Sequence, residues 1–428
     1  MKHVYGLAAI ACAVALACAA NVGLAEAATM TTLYDFCSQR ACGDGALPNS
    51  QIIRDAAGNF YGMAEKGGQQ DERCGNQGCG VIYEMPATDA RKKSSPVTVL
   101  YRFCKKKNCK DGFSPAGSLV IDVSGNLYGL TSGGGKTGNG TFFKLAPDGT
   151  LTTLYSFCRR TGCPDGNDPE GLTYQGAQSG VAYDGVSPLY GAGVSGGAHN
   201  NNGVIFKLVP GDGGKWSESV LYSFCSLASC VDGFGPTSIV ADATGALYGT
   251  TIGGSGTVYK FQGSSLTTLH AFCSQASCAD GQEPFGTDTL DGNGNLFGVT
   301  ESGGSGDLGV LYRIDSTGTF TKLHDFCSAD DSCPDGYLPL AAPYIDTDGN
   351  LFGTAEAGGA GIGGVVYELS GTNYQVLYSF CVGGNPCPDG ASPHSTLVPD
   401  GKGNLVSTVI SGGVARHGQG GTIFEITP

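Results

Sequence analysis

The sequence predicts an all-β fold, a seven-bladed β-propeller with four antiparallel strands per blade. Three observations predict it. A short aromatic segment of pattern L-[YH]-x-F-C returns seven times, about 57 residues apart, within the spacing of blade-type repeats. Gly makes up 72 of 428 residues without a G-X-Y period, which excludes collagen and disfavours helices, since Gly costs up to ~1 kcal/mol per interior helix position. The repeat is also out of phase with the chain ends, as a closed ring requires.

Each copy carries the same elements in the same order. The aromatic strand comes first, as in Leu33-Tyr34-Asp35-Phe36-Cys37 and Leu100-Tyr101-Arg102-Phe103-Cys104. A cysteine loop follows and closes on C-x-D-G-x-x-P. A second apolar strand, such as 118–122, ends near an Asp. A turn leads to a third strand, such as Gly125-Asn126-Leu127-Tyr128-Gly129, and a Gly-Gly loop leads to a fourth, such as Gly140 to Leu145. Period-two alternation, dense aromatics and Gly/Asn/Asp punctuation mark all four as strands. The chain ends on a fourth-type strand, Thr422 to Ile426, that lacks its aromatic partner, while Thr31 to Phe36 stands alone at the start. The N-terminal strand is therefore expected to complete the last blade and close the ring.

The first 27 residues read as a signal peptide: Lys2 and His3, an apolar stretch over 4–20, and the A-x-A site Ala25-Glu26-Ala27. A lipoprotein reading at Cys18 is weaker, because Ala15-Leu16-Ala17 matches a lipobox poorly. Residues 28–428 form one domain, with no membrane span after cleavage. Cleavage removes two of the 18 cysteines, and the rest fall into close pairs. These are Cys37 with Cys42, Cys74 with Cys79, Cys104 with Cys109, Cys158 with Cys163, Cys225 with Cys230, Cys273 with Cys278, Cys327 with Cys333 and Cys381 with Cys387. Such pairing in an exported chain predicts local disulfides. Zinc is the alternative, but it wants four ligands and six His cannot complete eight sites. No metal or cofactor is expected.

The run from L-Y-x-F through D-G-x-x-P, G-N-L-[YF]-G and Gly-Gly to G-[TV]-[VIF]-[FY]-x-[LI] resembles the tandem GloVer repeat of exported bacterial proteins, often called choice-of-anchor proteins. The resemblance covers nearly all of residues 31–426 and implies an exported repeat protein without an established reaction. The chain departs from the pattern in its added cysteine pairs and in ending at Pro428 with no sorting segment, which leads us to expect a secreted or periplasmic protein.

Several motifs have a bland reading that outweighs the functional one. The ring Asp44, Asp111, Asp165, Asp232, Asp280, Asp335 and Asp389, each followed by Gly, reads as turn chemistry rather than a cation ring. Asp346-Thr347-Asp348-Gly349-Asn350 and Asp291-Gly292-Asn293-Gly294-Asn295 resemble calcium loops, yet the middle oxygen is missing in other copies, so hairpin turns are expected. Gly193-Val194-Ser195-Gly196-Gly197 fits G-x-S-x-G but is another Gly-Gly loop without the strand-to-helix context. Gly134-Gly135-Lys136-Thr137 lacks the first Gly of a phosphate loop. His270 and His324 replace the aromatic-strand Tyr, His394 follows the repeat Pro, and no catalytic residue is nominated.

The symmetry breaks where charge collects. The formal charge of −14 argues against a nucleic-acid binder, yet the first three cysteine loops carry Arg40, then Lys105, Lys106, Lys107 and Lys110, then Arg159 and Arg160. An enlarged Gly-Gly loop at 65–80 adds Arg73 and its own cysteine pair, and connectivity places it on the same face. Insertions at 86–97 and 175–187 are expected on the opposite face. The expected function is non-catalytic binding of an anionic or cell-envelope polymer, a polysaccharide or a protein. The alternatives are an extracellular polysaccharide lyase or hydrolase and a structural envelope protein.

Overall fold

A computed structural model describes residues 28–87, 97–328, 332–384, 386–415 and 420–428. Seven antiparallel sheets follow one another round a ring. Blade 1 runs outward from Ile53–Arg54 through Phe60–Ala64 and Val81–Met85 to Thr98–Arg102, and blades 2 to 6 repeat that order. Blade 7 closes the ring as the phase of the repeat predicts. Its outermost strand is the N-terminal Thr29–Asp35, paired antiparallel with the C-terminal Thr422–Thr427. Its inner strand is split, Ala391–Pro393 and Val398–Pro399 both pairing with Leu405–Ser411. The expected signal peptide lies outside the described residues.

The aromatic strand is the outer strand of each blade, and each letter of L-[YH]-x-F has its own task. Leu33, Leu100, Leu154, Leu221, Leu269, Leu323 and Leu377 are bulged residues, skipped in the register with the neighbouring strand in every blade. A bulge bends and twists the edge strand, which makes it a poor template for edge-to-edge pairing.

The Phe ends the strand and enters the next blade. Phe36 meets Tyr83, Phe103 meets Phe143, Phe157 meets Phe206 and Phe224 meets Tyr259. The series continues with Phe272 on Tyr312, Phe326 on Tyr367 and Phe380 on Phe424, with centroids between 4.9 and 5.5 Å apart round the ring. Phe103, Phe157 and their equivalents are fully or nearly fully buried. Each aromatic pair adds roughly 0.5–1.5 kcal/mol beyond burial, so seven of them weld blade to blade. The N-terminal strand takes part twice, through its sheet hydrogen bonds and through Phe36 on blade 1.

Those rings, on the strand paired with the aromatic one, explain the second Gly of G-N-L-[YF]-G. A Cβ on Gly298 would lie 2.3 Å from the Tyr312 hydroxyl, and one on Gly129 2.5 Å from Phe143. Only glycine leaves room for the ring crossing over it.

Candidate functional site

The aspartates of C-x-D-G-x-x-P sit where each outer strand turns into the next blade. Asp111 is fully buried and accepts the Lys105 and Lys106 amides and the Tyr101 hydroxyl at 2.8–3.0 Å. Asp44, Asp165 and Asp232 accept Tyr34, Tyr155 and Tyr222 together with amides of their own loops. At Asp280 and Asp335 the hydroxyl gives way to Nε2 of His270 and His324. In the longer loops Asp335 and Asp389 take the Cys327 and Cys381 amides, and Tyr378 completes the latter. Burial works against the Asp280 anion, yet bonds from the Ser274 hydroxyl and nearby amides hold it below the usual carboxylate range. Each carboxylate is thereby engaged by groups of its own loop and outer strand.

Disulfides pin the same loops, and the cysteines pair as their spacing predicts. Cys37 is bonded to Cys42, Cys104 to Cys109, Cys158 to Cys163 and Cys225 to Cys230. Round the rest of the ring Cys273 is bonded to Cys278, Cys327 to Cys333 and Cys381 to Cys387. The eighth bond, Cys74 to Cys79, braces the enlarged Gly-Gly loop instead. With each sulfur committed to its near neighbour, the zinc alternative falls away for these cysteines. Among the described residues no helix is long and apolar enough to cross a membrane.

Rather than standing clear on a face, five of the cysteine loops lean on the outer strand of the blade they introduce. Arg102 Nε donates to the Gly43 carbonyl, Thr153 to Lys110 and Thr268 to Val231. Lys322 donates to Ala279, and Tyr374 to Asp335. The loops therefore form a belt round the rim.

The basic residues lie exposed on that belt at blades 1 to 3. Among the described residues Arg40, Lys105, Lys107, Lys110 and Arg160 have no side-chain hydrogen bond or ion pair. Three others are partly engaged. Lys106 Nζ reaches the Leu151 carbonyl at 3.1 Å, Arg159 lies 3.6 Å over the Tyr155 ring, and Arg73 pairs with Asp71 at 2.9 Å. Arg73 also donates to Asn108 Oδ1, so the enlarged loop at 65–80 touches the lysine loop directly. The sulfur atoms of Cys74, Cys104 and Cys109 lie within 4.8 Å of one another, two disulfides side by side. Sequence reasoning missed Arg102, which stands exposed on the outer strand of blade 1 and reaches Gln39 in the first loop. It also missed Glu218, which accepts the Tyr155 hydroxyl beside Arg159; burial pushes its carboxyl up to about 7.

The turns that resemble calcium loops are satisfied internally. Asp346 Oδ1 accepts the Asp348 and Asn350 amides while Oδ2 accepts the Asn350 side chain, and Asp291 repeats the pattern. The insertion at 175–187 is structural as well as large. Val123 donates its amide to the Tyr183 carbonyl in this segment, and Gln175 Nε2 donates to Ala243, tying blades 2, 3 and 4 together. It walls a cavity of about 760 Å³ at the end of the inner strands, lined by Arg54, Tyr61, Asp122 and Tyr174 among apolar residues. Most of the 86–97 insertion lies outside the described residues.

A second, narrower cavity of about 150 Å³ continues along the axis toward the Gly-Gly loops, sharing Gln51 and Ser118 with the first. All seven blades line it. The residue after each repeat proline contributes: Asn49, Ala116, Glu170, Thr237, Phe285, Leu340 and His394. The signal for this ring was present in the sequence as the one column beside an invariant Pro that differs in every copy.

No curated protein matches the sequence. Among solved structures the chain is similar to a puromycin-hydrolysing peptidase of Mycobacterium tuberculosis, at 12% identity and a TM-score of 0.43 over 76% of this chain. It spans 43% of the peptidase's length. It is also similar to a Thermus thermophilus protein described as an oxidoreductase of glucose dehydrogenase type, at 14% identity and a TM-score of 0.41, over 73% of this chain and 96% of that one. The family model of the Gloeobacter/Verrucomicrobia repeat matches residues 22–187, 72–285, 170–342 and 252–428, and the chain belongs to that repeat family.

Proposed function

We propose that the protein is an exported binding module whose rim at blades 1 to 3 takes an anionic polymer of the cell surface or its surroundings. The observation that supports this reading is the run of exposed cations on three consecutive cysteine loops of a chain with net charge −14. Their backbone is fixed by a disulfide and a buried aspartate in each loop, so little ordering entropy opposes contact with a polymer. The spacing along a rim suits an extended ligand that meets successive loops. Eight disulfides accord with an oxidising compartment outside the cytoplasm.

The reading is tested by passing the purified chain over neutral and anionic polysaccharides at low and high salt while assaying soluble product. Salt-sensitive retention on anionic material, lost in the Lys105→Ala/Lys106→Ala/Lys107→Ala variant, is the expected result. Release of product would move the assignment to an enzyme. Retention unchanged in the triple variant would remove the rim from it.

A further inference from the structure

We infer that the narrow axial cavity binds the ammonium end of an amine, a site separate from the basic rim and opposite to it in charge. The wall mixes hydroxyl, amide and imidazole side chains, Gln51, Ser118, Thr237 and His394 among them, with a single carboxylate, Glu170. Glu170 is partly buried, lines the lumen and has no hydrogen-bond partner among the described residues. Asn49 Oδ1, buried at the same wall, lacks a donor too, its amide being committed to Glu65 Oε2 at 3.1 Å. Buried polar atoms are nearly always paired, so the unmet Asn49 Oδ1 beside an unpaired carboxylate is an arrangement that a donor entering the cavity would complete.

Charge narrows the choice further. Asp168 and Glu65 both bear electrostatically on Glu170, and Glu65 bears on His394 of the neighbouring blade. Burial keeps the His394 imidazole below its ordinary value, so the ring does not supply the missing positive charge at neutral pH. Lys66, beside Glu65 in the chain, is held by it at 2.6 Å. By their places in the repeat, Glu283, Glu301 and Glu356 continue the acidic surround on blades 5 and 6, and Glu283 and Glu356 push the Glu301 carboxyl upward after burial has done so.

Size and shape select an organic cation. The volume is that of about five water molecules. Among the described residues no three carboxylate or imidazole ligand atoms converge there within 4.8 Å, as a dehydrated metal ion needs. Ala116, Leu340 and Phe285 give the wall an apolar part beside its polar one. An alkylammonium chain matches this pairing: three N–H donors at the carboxylate and methylenes against the apolar side.

The test is isothermal titration of the purified chain with 1,4-diaminobutane, with 1,4-butanediol as the uncharged control and Ca²⁺ as the metal. We expect the diamine to bind and the diol not to. Glu170→Gln is expected to weaken the diamine at least tenfold. Ala116→Leu, which fills the lumen but keeps every charged group, is expected to do the same, and serves if Glu170→Gln fails to fold. Binding should strengthen from pH 6 to pH 8, because burial, with Asp168 and Glu65 facing it, pushes Glu170 up to about 7. The rim triple variant should bind the diamine as the parent does, so this site can stand or fall without the rim. Absence of diamine binding, equal binding by diamine and diol, binding of Ca²⁺ alone, or affinity unmoved by both lumen variants would each overturn the assignment.

Discussion

Two rings of seven residues circle this molecule, one residue of each per blade and close together in the chain. The aspartate ring carries the same residue in every copy, and each carboxylate is consumed by amides and a Tyr or His of its own loop. The ring that follows the repeat proline carries Asn, Ala, Glu, Thr, Phe, Leu and His, and all seven face one axial cavity. Identity round a ring marks a task every blade shares, which is holding a loop or plugging a neighbour. Variety marks a wall that the blades build jointly, where one carboxylate needs one place. The basic belt follows the same logic: its loops share a backbone, and only those of blades 1 to 3 carry the cations.

The sharpest way to break this comparison is to remove a residue from an identical ring. Phe103→Ala empties the junction between blades 1 and 2 and deletes the contact with Phe143 at 5.3 Å. We expect a loss of roughly 3–5 kcal/mol, read by denaturant unfolding. Asp111→Ala comes next. It strands two part-buried amides and the buried Tyr101 hydroxyl, and we expect a loss of roughly 2–4 kcal/mol. If either variant unfolds with the parent's midpoint, identity round the ring is not a mark of structural work.

An exception inside the fold sharpens the rule. Asp288, on the inner strand of blade 5, is a fully buried carboxyl at a position no other blade shares. The Tyr312 hydroxyl donates to Oδ1 at 3.0 Å, while Oδ2 has no partner. Burial outweighs that bond and pushes the carboxyl up to about 7. The unfolded group ionises near ~3.9, so between these values the folded state holds the extra proton. Stability should therefore fall as pH rises from ~4 to ~7 and level off above, by on the order of a few kcal/mol. Asp288→Asn keeps the Tyr312 bond and should remove most of that slope. A parent slope equal to the variant's would show that Asp288 does not carry it.

Much of this was legible in the sequence, and the reasons for the rest are specific. Blade number, strand order and closure follow from the period and phase of the repeat, and the disulfides follow from the close spacing of each pair. The bulge at Leu100 and the plug at Phe103 were visible as letters of a motif, but their roles depend on pairing with a strand of the same blade and a ring of the next. Arg102 escaped notice because it reads as the polar member of an alternating strand. Tyr183 looked like part of an insertion because the turn it meets lies about 60 residues away. The lumen ring was overlooked for a similar reason: nothing local says that the residue after the proline, rather than the one before it, looks down the axis.

The extra disulfide offers a smaller effect that separates bracing from folding. Replacing both Cys74 and Cys79 with Ser opens a short loop worth roughly 2 kcal/mol in the chain-entropy model. The neighbouring bond from Cys104 to Cys109 stays closed, so the blade should keep its sheet while the contact from Arg73 to Asn108 loosens. Amide exchange should rise over 65–80 and 105–110 and nowhere in the strands. Exchange spreading into Val81–Met85 would instead make this disulfide part of the fold's frame.

The smallest expected effect falls on the varied ring, and its sign matters more than its size. Glu170→Gln removes a carboxyl whose anion is disfavoured by burial and by Asp168 and Glu65. Its folded value of about 7 lies above the unfolded one, so the parent loses stability as pH climbs toward neutrality and the glutamine variant does not. At pH 8 the variant should melt higher than the parent by about a degree or two; at pH 4 the two should coincide. A substitution on the aspartate ring moves Tm down at every pH, whereas one on the lumen ring leaves it level or raises it. A lumen carboxylate that costs stability at neutral pH contributes nothing to holding the blades together, and its presence at one blade of seven calls for a ligand rather than a fold to explain it.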